Sequence, residues 1–186
     1  MSDLQLTKSR QYLLLVIGVF ILPVILAKLA LEGHWFNYGV TNQGELVRDQ
    51  QTLADYGLQA EQFKNQWLML VTLPQQCDEL CLNALKTINN AYILLGQEIP
   101  RVTPVALFQN EFTAETHQIM HHSKWQTLEL PEKAKEKLDH PQLLIVDPLS
   151  NIVLSYSLPK DNNKVSQFGK AIITDMKKLL KYSRIG

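Results

Sequence analysis

The longest stretch without charge runs over residues 12–27, and it constrains the architecture more than any other feature. Lys28 interrupts this stretch, and leucines and an alanine at positions 29–31 extend it. A helix rises ~1.5 Å per residue, so roughly 20 apolar residues cover a hydrocarbon layer of ~30 Å. We therefore expect residues 12–31 to form one transmembrane helix surrounded by membrane lipid.

Two cations come before this stretch, Lys8 and Arg10. The positive-inside rule then predicts a cytoplasmic tail over residues 1–11 and a domain on the other side of the membrane. A cleaved signal peptide usually has a shorter apolar region and small residues before its cleavage site, whereas Ile25 and Lys28 stand at the critical positions here. The pattern favours an uncleaved anchor.

The chain after the anchor suits a tether followed by one domain. Residues 32–63 begin with a turn-rich segment, and Trp35, Phe36 and Tyr38 within it are expected at the membrane interface. Residues 64–186 have the length of a single domain. Eighteen basic and eighteen acidic side chains leave no net charge, so nucleic acid is not an expected partner.

Hydrophobic patterns in the domain predict a βαβ unit followed by a ββα unit. Residues 67–73 form an apolar run typical of a buried strand, and apolar side chains from Cys81 to Leu95 recur at helical spacing before Gly96. A second strand is expected over residues 104–108. After a polar, partly helical stretch come two strands, 143–146 and 152–156, joined as a hairpin, and a final helix whose apolar face carries Val165, Phe168, Ile172, Met176 and Leu179. This α/β order is that of a thioredoxin-like domain.

Cys77 and Cys81 are the chain's two cysteines, and they fall between the first buried strand and its helix. Four residues apart in a first helical turn, the sulfurs share a face, and the helix N-terminus favours thiolates. The pair can bind one soft metal ion or form a disulfide. Asp78 and Glu79 oppose thiolate formation. A purely structural disulfide is the alternative, although so short a loop gains little stability from it.

His140 is the candidate for a third metal ligand, because it directly precedes a predicted central strand. In a thioredoxin-like layout this loop faces the cysteine loop. Two thiolates and an imidazole suit Cu(I) or Cu(II), whereas structural zinc usually takes a fourth protein ligand. A second cluster contains His117, His121 and His122; the first two have chelate spacing on a helix, but solvated surface histidines are the favoured interpretation.

Several of these residues form a pattern that resembles the Sco family: Cys77 and Cys81 with three residues between them, Asp139-His140, Asp147-Pro148 and Tyr156. Sco proteins are membrane-anchored thioredoxin-like domains that help to assemble the copper centre of cytochrome c oxidase. The resemblance implies copper bound by Cys77, Cys81 and His140, and a cytochrome c oxidase subunit as partner.

The chain looks still closer to a group of bacterial inner-membrane proteins encoded beside cytochrome oxidase genes. Four segments carry this likeness: residues 38–46, 101–102, 146–148 and 178–186. It implies a bacterial inner-membrane location, with the domain in the periplasm and a role in oxidase biogenesis.

The chain departs from the Sco pattern beside both cysteines, and this keeps other functions open. Sco proteins usually carry proline after each cysteine, where Asp78 and Leu82 stand here. Pro141 follows His140, and thioredoxin-like oxidoreductases commonly place a cis-proline in this loop. A periplasmic thiol-disulfide oxidoreductase using the same cysteines is therefore an alternative, and a tethered scaffold with an inert disulfide is another.

Overall fold

The computed structural model describes residues 3–32, 42–47, 49–63, 65–110, 113–121, 123–138 and 140–185. These residues belong to two compact units, 1–41 and 42–186.

The first unit contains helix α1, Asp3–Glu32, with Pro23 inside it. Its described side chains between Tyr12 and Leu29 are exposed. Across the described part of the chain, no helix combines the length and the apolar character needed to cross a membrane. The anchor expected over residues 12–31 therefore stays a prediction, and the expected aromatic residues at positions 35, 36 and 38 lie outside the described residues.

The second unit is built on a sheet with the order β1-β6-β5-β2-β3-β4. Its strands are β1 (Glu45–Leu46), β2 (Trp67–Thr72), β3 (Val102–Phe108), β4 (Gln126–Glu129), β5 (Gln142–Val146) and β6 (Ile152–Ser157). β2 pairs parallel with β3, which pairs parallel with β4, and the remaining neighbours are antiparallel. The predicted βαβ unit and the predicted hairpin are both present.

Helices α2 (Glu79–Ile93), α3 (Ala114–His121), α4 (Glu132–Lys137) and α5 (Asn162–Tyr182) pack around this sheet. Short 3-10 helices cover Leu53–Tyr56, Ala60–Phe63 and Gly96–Arg101. α2 ends before Gly96, whose φ of 59° is left-handed and opens the next 3-10 helix. The polar stretch before the hairpin was expected to be partly helical, and it also contains strand β4.

Strand β2 forms the centre of the core, since every one of its residues is buried. Met69 and Val71 belong to the apolar cluster that includes α2 and α5, whereas Leu68 and Leu70 belong to the cluster on the other face. Alternate side chains of a strand point to opposite faces of a sheet, so a central strand covered on both sides must be apolar throughout. This confirms the interpretation of the apolar run.

The predicted apolar face of the last helix is largely confirmed. Phe168, Ile172 and Met176 are buried, whereas Leu179 is half-buried and Leu180 is the buried leucine of the last turn. The same face also buries a carboxylate, Asp175, which the hydrophobic pattern did not predict.

Candidate functional site

The two cysteines lie where β2 gives way to α2, and they are joined by a disulfide with a Cα–Cα distance of 5.2 Å. Cys77 is half-buried in the turn, while Cys81 in the first turn of α2 is only 6% exposed. The carboxyl end of a central strand is where open α/β sheets place their functional sites. Of the two arrangements that the spacing left open, metal binding and a disulfide, the structure contains the disulfide.

Asp78, between the cysteines, is the N-cap of α2. Its Oδ1 accepts a hydrogen bond of 2.8 Å from the backbone N–H of Cys81. An N-cap carboxylate satisfies a backbone donor that the helix itself cannot. Asp78 thus has a structural role that sequence reasoning missed, although an aspartate directly before a helical pattern is the usual sign of such a cap.

His140 reaches the same place from the loop before β5. It lines a cavity of about 290 Å³ together with Cys81, Asp78 and Pro74, and residues 158–160 also line this cavity. Its Nε2 lies 2.9 Å from Ser157 Oγ, and the side chain is exposed. The loop therefore faces the cysteine loop, as the thioredoxin-like layout predicts.

The peptide bond before Pro141 differs from the one that thioredoxin-like oxidoreductases commonly have in this loop. None of the peptide bonds between described residues is cis. The bond from His140 to Pro141 is therefore trans, and Pro141 is not the cis-proline that thioredoxin-like oxidoreductases commonly place in this loop.

The three candidate copper ligands do not form a metal site in this oxidised state. Within the described ranges, no group of three or more His, Cys, Asp or Glu side chains is arranged to hold a metal ion. The sulfurs of Cys77 and Cys81 are bonded to each other, so neither is the thiolate that binds a soft metal. Copper ligation by Cys77, Cys81 and His140 remains a prediction.

A second, smaller cavity of about 160 Å³ lies on the Cys77 side of the disulfide. Its lining is mostly apolar, and Asn110 Nδ2 donates to the backbone oxygen of Gln75 at 3.1 Å. The hydroxyls of Thr113 and Thr116 lie 2.9 Å apart at its rim. Each cysteine therefore faces a cavity of its own.

The second histidine cluster does not join this site. His117 and His121 are exposed on α3, in agreement with the surface interpretation, and His122 lies outside the described residues.

A buried polar network lies at the β1–β6 edge of the sheet. Asp175 is fully buried, and its Oδ2 accepts hydrogen bonds from Tyr156 Oη at 2.7 Å and from the backbone N–H groups of Gln43 and Gly44 at 2.7 and 2.9 Å. Burial is the main cause that raises the pKa of Tyr156, and the hydrogen bond to Asp175 raises this pKa further. The network ties residues 43–44 to α5 and β6. Sequence reasoning missed Asp175, although a lone acid between Ile172 and Met176 on an apolar helix face was a usable signal.

Arg101 makes hydrogen bonds to backbone oxygens between residues 180 and 185. Its Nη1 donates to the Leu180 oxygen at 3.1 Å, and its Nη2 donates to the Ser183 oxygen at 3.0 Å and to the Ile185 oxygen at 3.3 Å. Gly44 and Arg101 are therefore both hydrogen-bonded to α5, Gly44 to Asp175 and Arg101 to Leu180.

The comparisons with solved structures agree with the predicted fold. The apo Sco1 protein from Thermus thermophilus matches with a TM-score of 0.53 at 15% identity, covering 77% of this chain and 99% of that chain. Yeast Sco1 matches with a TM-score of 0.51 at 12% identity, covering 67% and 85% respectively. Yeast Sco1 with copper bound has a TM-score of 0.50 at 12% identity, covering 67% and 84%. At such low identities, these structural matches show a shared fold alone.

The comparison with curated proteins finds no match. A family model described as "Transmembrane-like, thioredoxin-like, C-terminal domain" matches residues 67–183, which cover β2 through α5. The likeness to Sco proteins predicted from the cysteine and histidine pattern is confirmed at the level of the fold. The chain therefore belongs to the transmembrane-like, thioredoxin-like C-terminal domain family, and its second unit has the fold of Sco proteins.

Proposed function

We propose that this chain is an anchored assembly factor that holds copper for cytochrome c oxidase. The thiolates of Cys77 and Cys81 and the imidazole of His140 are the proposed ligands. The observation that carries the proposal is the cavity shared by Cys81 and His140 beside the disulfide. Thiolate sulfur and imidazole nitrogen are ligands that copper prefers.

Copper loading requires reduction of the disulfide first. A dithiol reductant transfers two electrons to the S–S bond, which breaks, and two protons complete the two thiols. Binding of the metal as a dithiolate then releases those protons, so affinity rises with pH. The oxidised pair accordingly represents an unloaded state.

Ser157 is the proposed positioning residue for the third ligand. Its hydroxyl lies 2.9 Å from His140 Nε2, which leaves Nδ1 as the nitrogen for copper. A hydrogen bond to the second ring nitrogen fixes the orientation of a ligating histidine. Because His140 is otherwise exposed, this bond is its main restraint on the cavity side.

The anchor is part of the same proposal, with the domain on the periplasmic side of a bacterial inner membrane. Its support is the exposure of apolar side chains along α1 from Tyr12 to Leu29, with Lys28 as the charged exception. External trypsin on intact spheroplasts tests the orientation. We expect cleavage within the second unit; a domain that stays intact until the membrane is broken contradicts this orientation.

An anaerobic copper titration of the reduced full chain tests the copper site. We expect one bound copper per chain, and loss of tight binding in Cys77→Ser, Cys81→Ser and His140→Ala variants. His117→Ala is the matched control, because this histidine is exposed on α3 and lines neither of the two cavities beside the disulfide. A parent chain without copper binding, or a His117→Ala loss equal to that of His140→Ala, contradicts the proposal.

Thiol-disulfide exchange is the second candidate function, and the disulfide with its flanking cavities favours it. In the reduced chain, the thiolate of the more accessible Cys77 attacks a client disulfide, the client S–S bond breaks, and one client sulfur leaves as a thiolate. The Cys81 thiolate then attacks the Cys77 sulfur of the mixed disulfide, which re-forms the Cys77–Cys81 bond and releases the second client sulfur as a thiolate, so that the client is reduced by two electrons. A Cys81→Ser variant cannot resolve the adduct, so it should accumulate a mixed disulfide through Cys77.

Failure of both tests leaves the tethered scaffold. Its disulfide would react slowly with mild reductant, and the reduced chain would bind no copper.

A further inference from the structure

Helices α2 and α5 run parallel, and their C-terminal ends lie at the end of the domain opposite the disulfide. Near their starts, Asn83 Nδ2 of α2 donates to Asn162 Oδ1 of α5 at 3.3 Å. Near their ends, Leu95 and Leu180 line one shared cavity. α2 contains 15 residues, and a helix of this length spans about 22 Å. The end of α2 therefore lies about 20 Å from the cysteine pair, and the last turn of α5 adjoins it.

Large apolar side chains are exposed at this end. Ile93 and Leu94 at the end of α2 are 50% and 59% exposed, and Tyr182 and Ile185 at the end of the chain are 79% and 49% exposed. Isolated exposed apolar residues are ordinary on protein surfaces. Four of them at the ends of two neighbouring helices indicate a surface that contacts something other than water.

Lysines accompany these apolar side chains. Lys177 and Lys181 are exposed and lie one turn apart on α5, opposite its buried face, with Lys170 two turns earlier on the same stripe. Lys181 Nζ lies 5.7 Å from the centroid of the Tyr182 ring. The acid that lines the adjoining cavity, Glu98, is already paired with Arg101 at 2.7 Å. This end is therefore basic as well as apolar.

We propose that this basic end, formed by Ile93, Leu94, Lys177, Lys181, Tyr182 and Ile185, docks on an anionic phospholipid surface. Lysine ammonium groups pair with lipid phosphates, and each contributes about a fivefold gain in binding near such a surface. Tyrosine favours the membrane–water interface, and aliphatic side chains enter the edge of the acyl region. The combination matches a lipid interface better than either a solvated lysine stripe or an apolar protein contact alone.

Docking in this way holds the cysteine pair about 20 Å above the lipid, at the far end of α2. The disulfide and the His140 cavity then face away from the membrane, where a client can reach them. The inference goes beyond the copper proposal and does not depend on it, because none of its residues touches the cysteine cavity.

Amine footprinting of the full chain on lipid nanodiscs tests the docking. One set of nanodiscs contains phosphatidylcholine alone, and the other contains equal parts of phosphatidylcholine and phosphatidylglycerol. We expect the labelling rates of Lys177 and Lys181 to fall about fivefold on the anionic nanodiscs. Exposed Lys86 in the middle of α2 and Lys133 on α4 should label equally on both.

A matched pair of variants separates the apolar contribution. Tyr182→Ser should remove most of the protection, whereas Leu149→Ser, at an exposed leucine in the β5–β6 turn, should keep it. Equal labelling on the two lipids overturns the proposal. Protection of Lys177 and Lys181 that appears in detergent and rises with protein concentration also overturns it, and identifies a contact between protein molecules instead. Copper titration of Tyr182→Ser should be unchanged, so failure here is distinct from failure of the copper site.

Discussion

Two polar sites of this domain differ in how exposed they are to solvent. At the cysteine end, the disulfide lies between two cavities, and His140 is exposed with a hydrogen bond to Ser157. At the β1–β6 edge of the sheet, Asp175 is fully buried and accepts three hydrogen bonds through a single oxygen. Groups that react or bind need access, whereas buried hydrogen bonds contribute stability; among the described residues, Asp175 Oδ1 has no hydrogen-bond partner. The comparison predicts that mutations at the two sites affect different measurements.

The largest effect is expected for Asp175→Ala. Three donors then lose their acceptor in a buried place, and the free energy of unfolding should fall by about 4 kcal/mol. Urea unfolding of the full chain followed by tryptophan fluorescence measures it. Asp161→Ala, at the exposed N-cap of the same helix, is the control and should cost about 1 kcal/mol. Equal losses of unfolding free energy in the two variants would mean that the buried network stabilises the domain no more than an exposed helix cap does.

Gly44→Ala tests the same network through sterics. A Cβ at this position would lie 2.5 Å from Cζ of Tyr156, so the ring or the segment must move, and we expect a loss of about 2 kcal/mol. Gly18→Ala is the control, because nothing lies within 4 Å of its added carbon. A Gly44→Ala chain as stable as its parent would show that residues 43–44 are not fixed against β6.

The Ser157→Ala variant tests the role of the hydrogen bond to His140 beside the disulfide. Loss of the restraint on His140 should weaken copper binding about tenfold while the unfolding midpoint stays the same. Ser155→Ala, two residues earlier in β6, should change neither quantity. Stronger copper binding in Ser157→Ala would indicate that the serine competes with the metal for the histidine.

The smallest effect is expected for Asp78→Ala. This variant removes the cap of α2 and should lower the free energy of unfolding by about 1 kcal/mol. Asp78→Asn keeps an acceptor oxygen and should retain most of that stability. An asparagine variant as unstable as the alanine variant would assign the effect to charge instead of capping.

Much of the fold could be predicted from the sequence, because its strongest signals are local. The continuous apolar run of β2 and the helical spacing in α2 and α5 each report burial directly. β4 was missed because it is a sheet-edge strand whose polar, exposed residues lack the periodicity of a buried strand.

The site was predictable in its parts and less so in its arrangement. The spacing of the cysteines indicated that their sulfurs share one face but left open whether they bind a metal or form a disulfide, and the position of His140 followed from the expected topology. Hydrogen bonds that connect distant segments, such as those of Asp175 to residues 43–44, depend on tertiary geometry that no local pattern contains.

X-ray absorption at the copper edge of the reduced, copper-loaded full chain tests the central claim most directly. We predict two sulfur ligands and one imidazole nitrogen in the parent chain, with loss of the imidazole signal in His140→Ala and loss of the sulfur signal in the Cys77→Ser/Cys81→Ser double variant. An unchanged copper environment in these variants, or no copper retained by the reduced parent, would contradict the assignment of this cavity as a copper site.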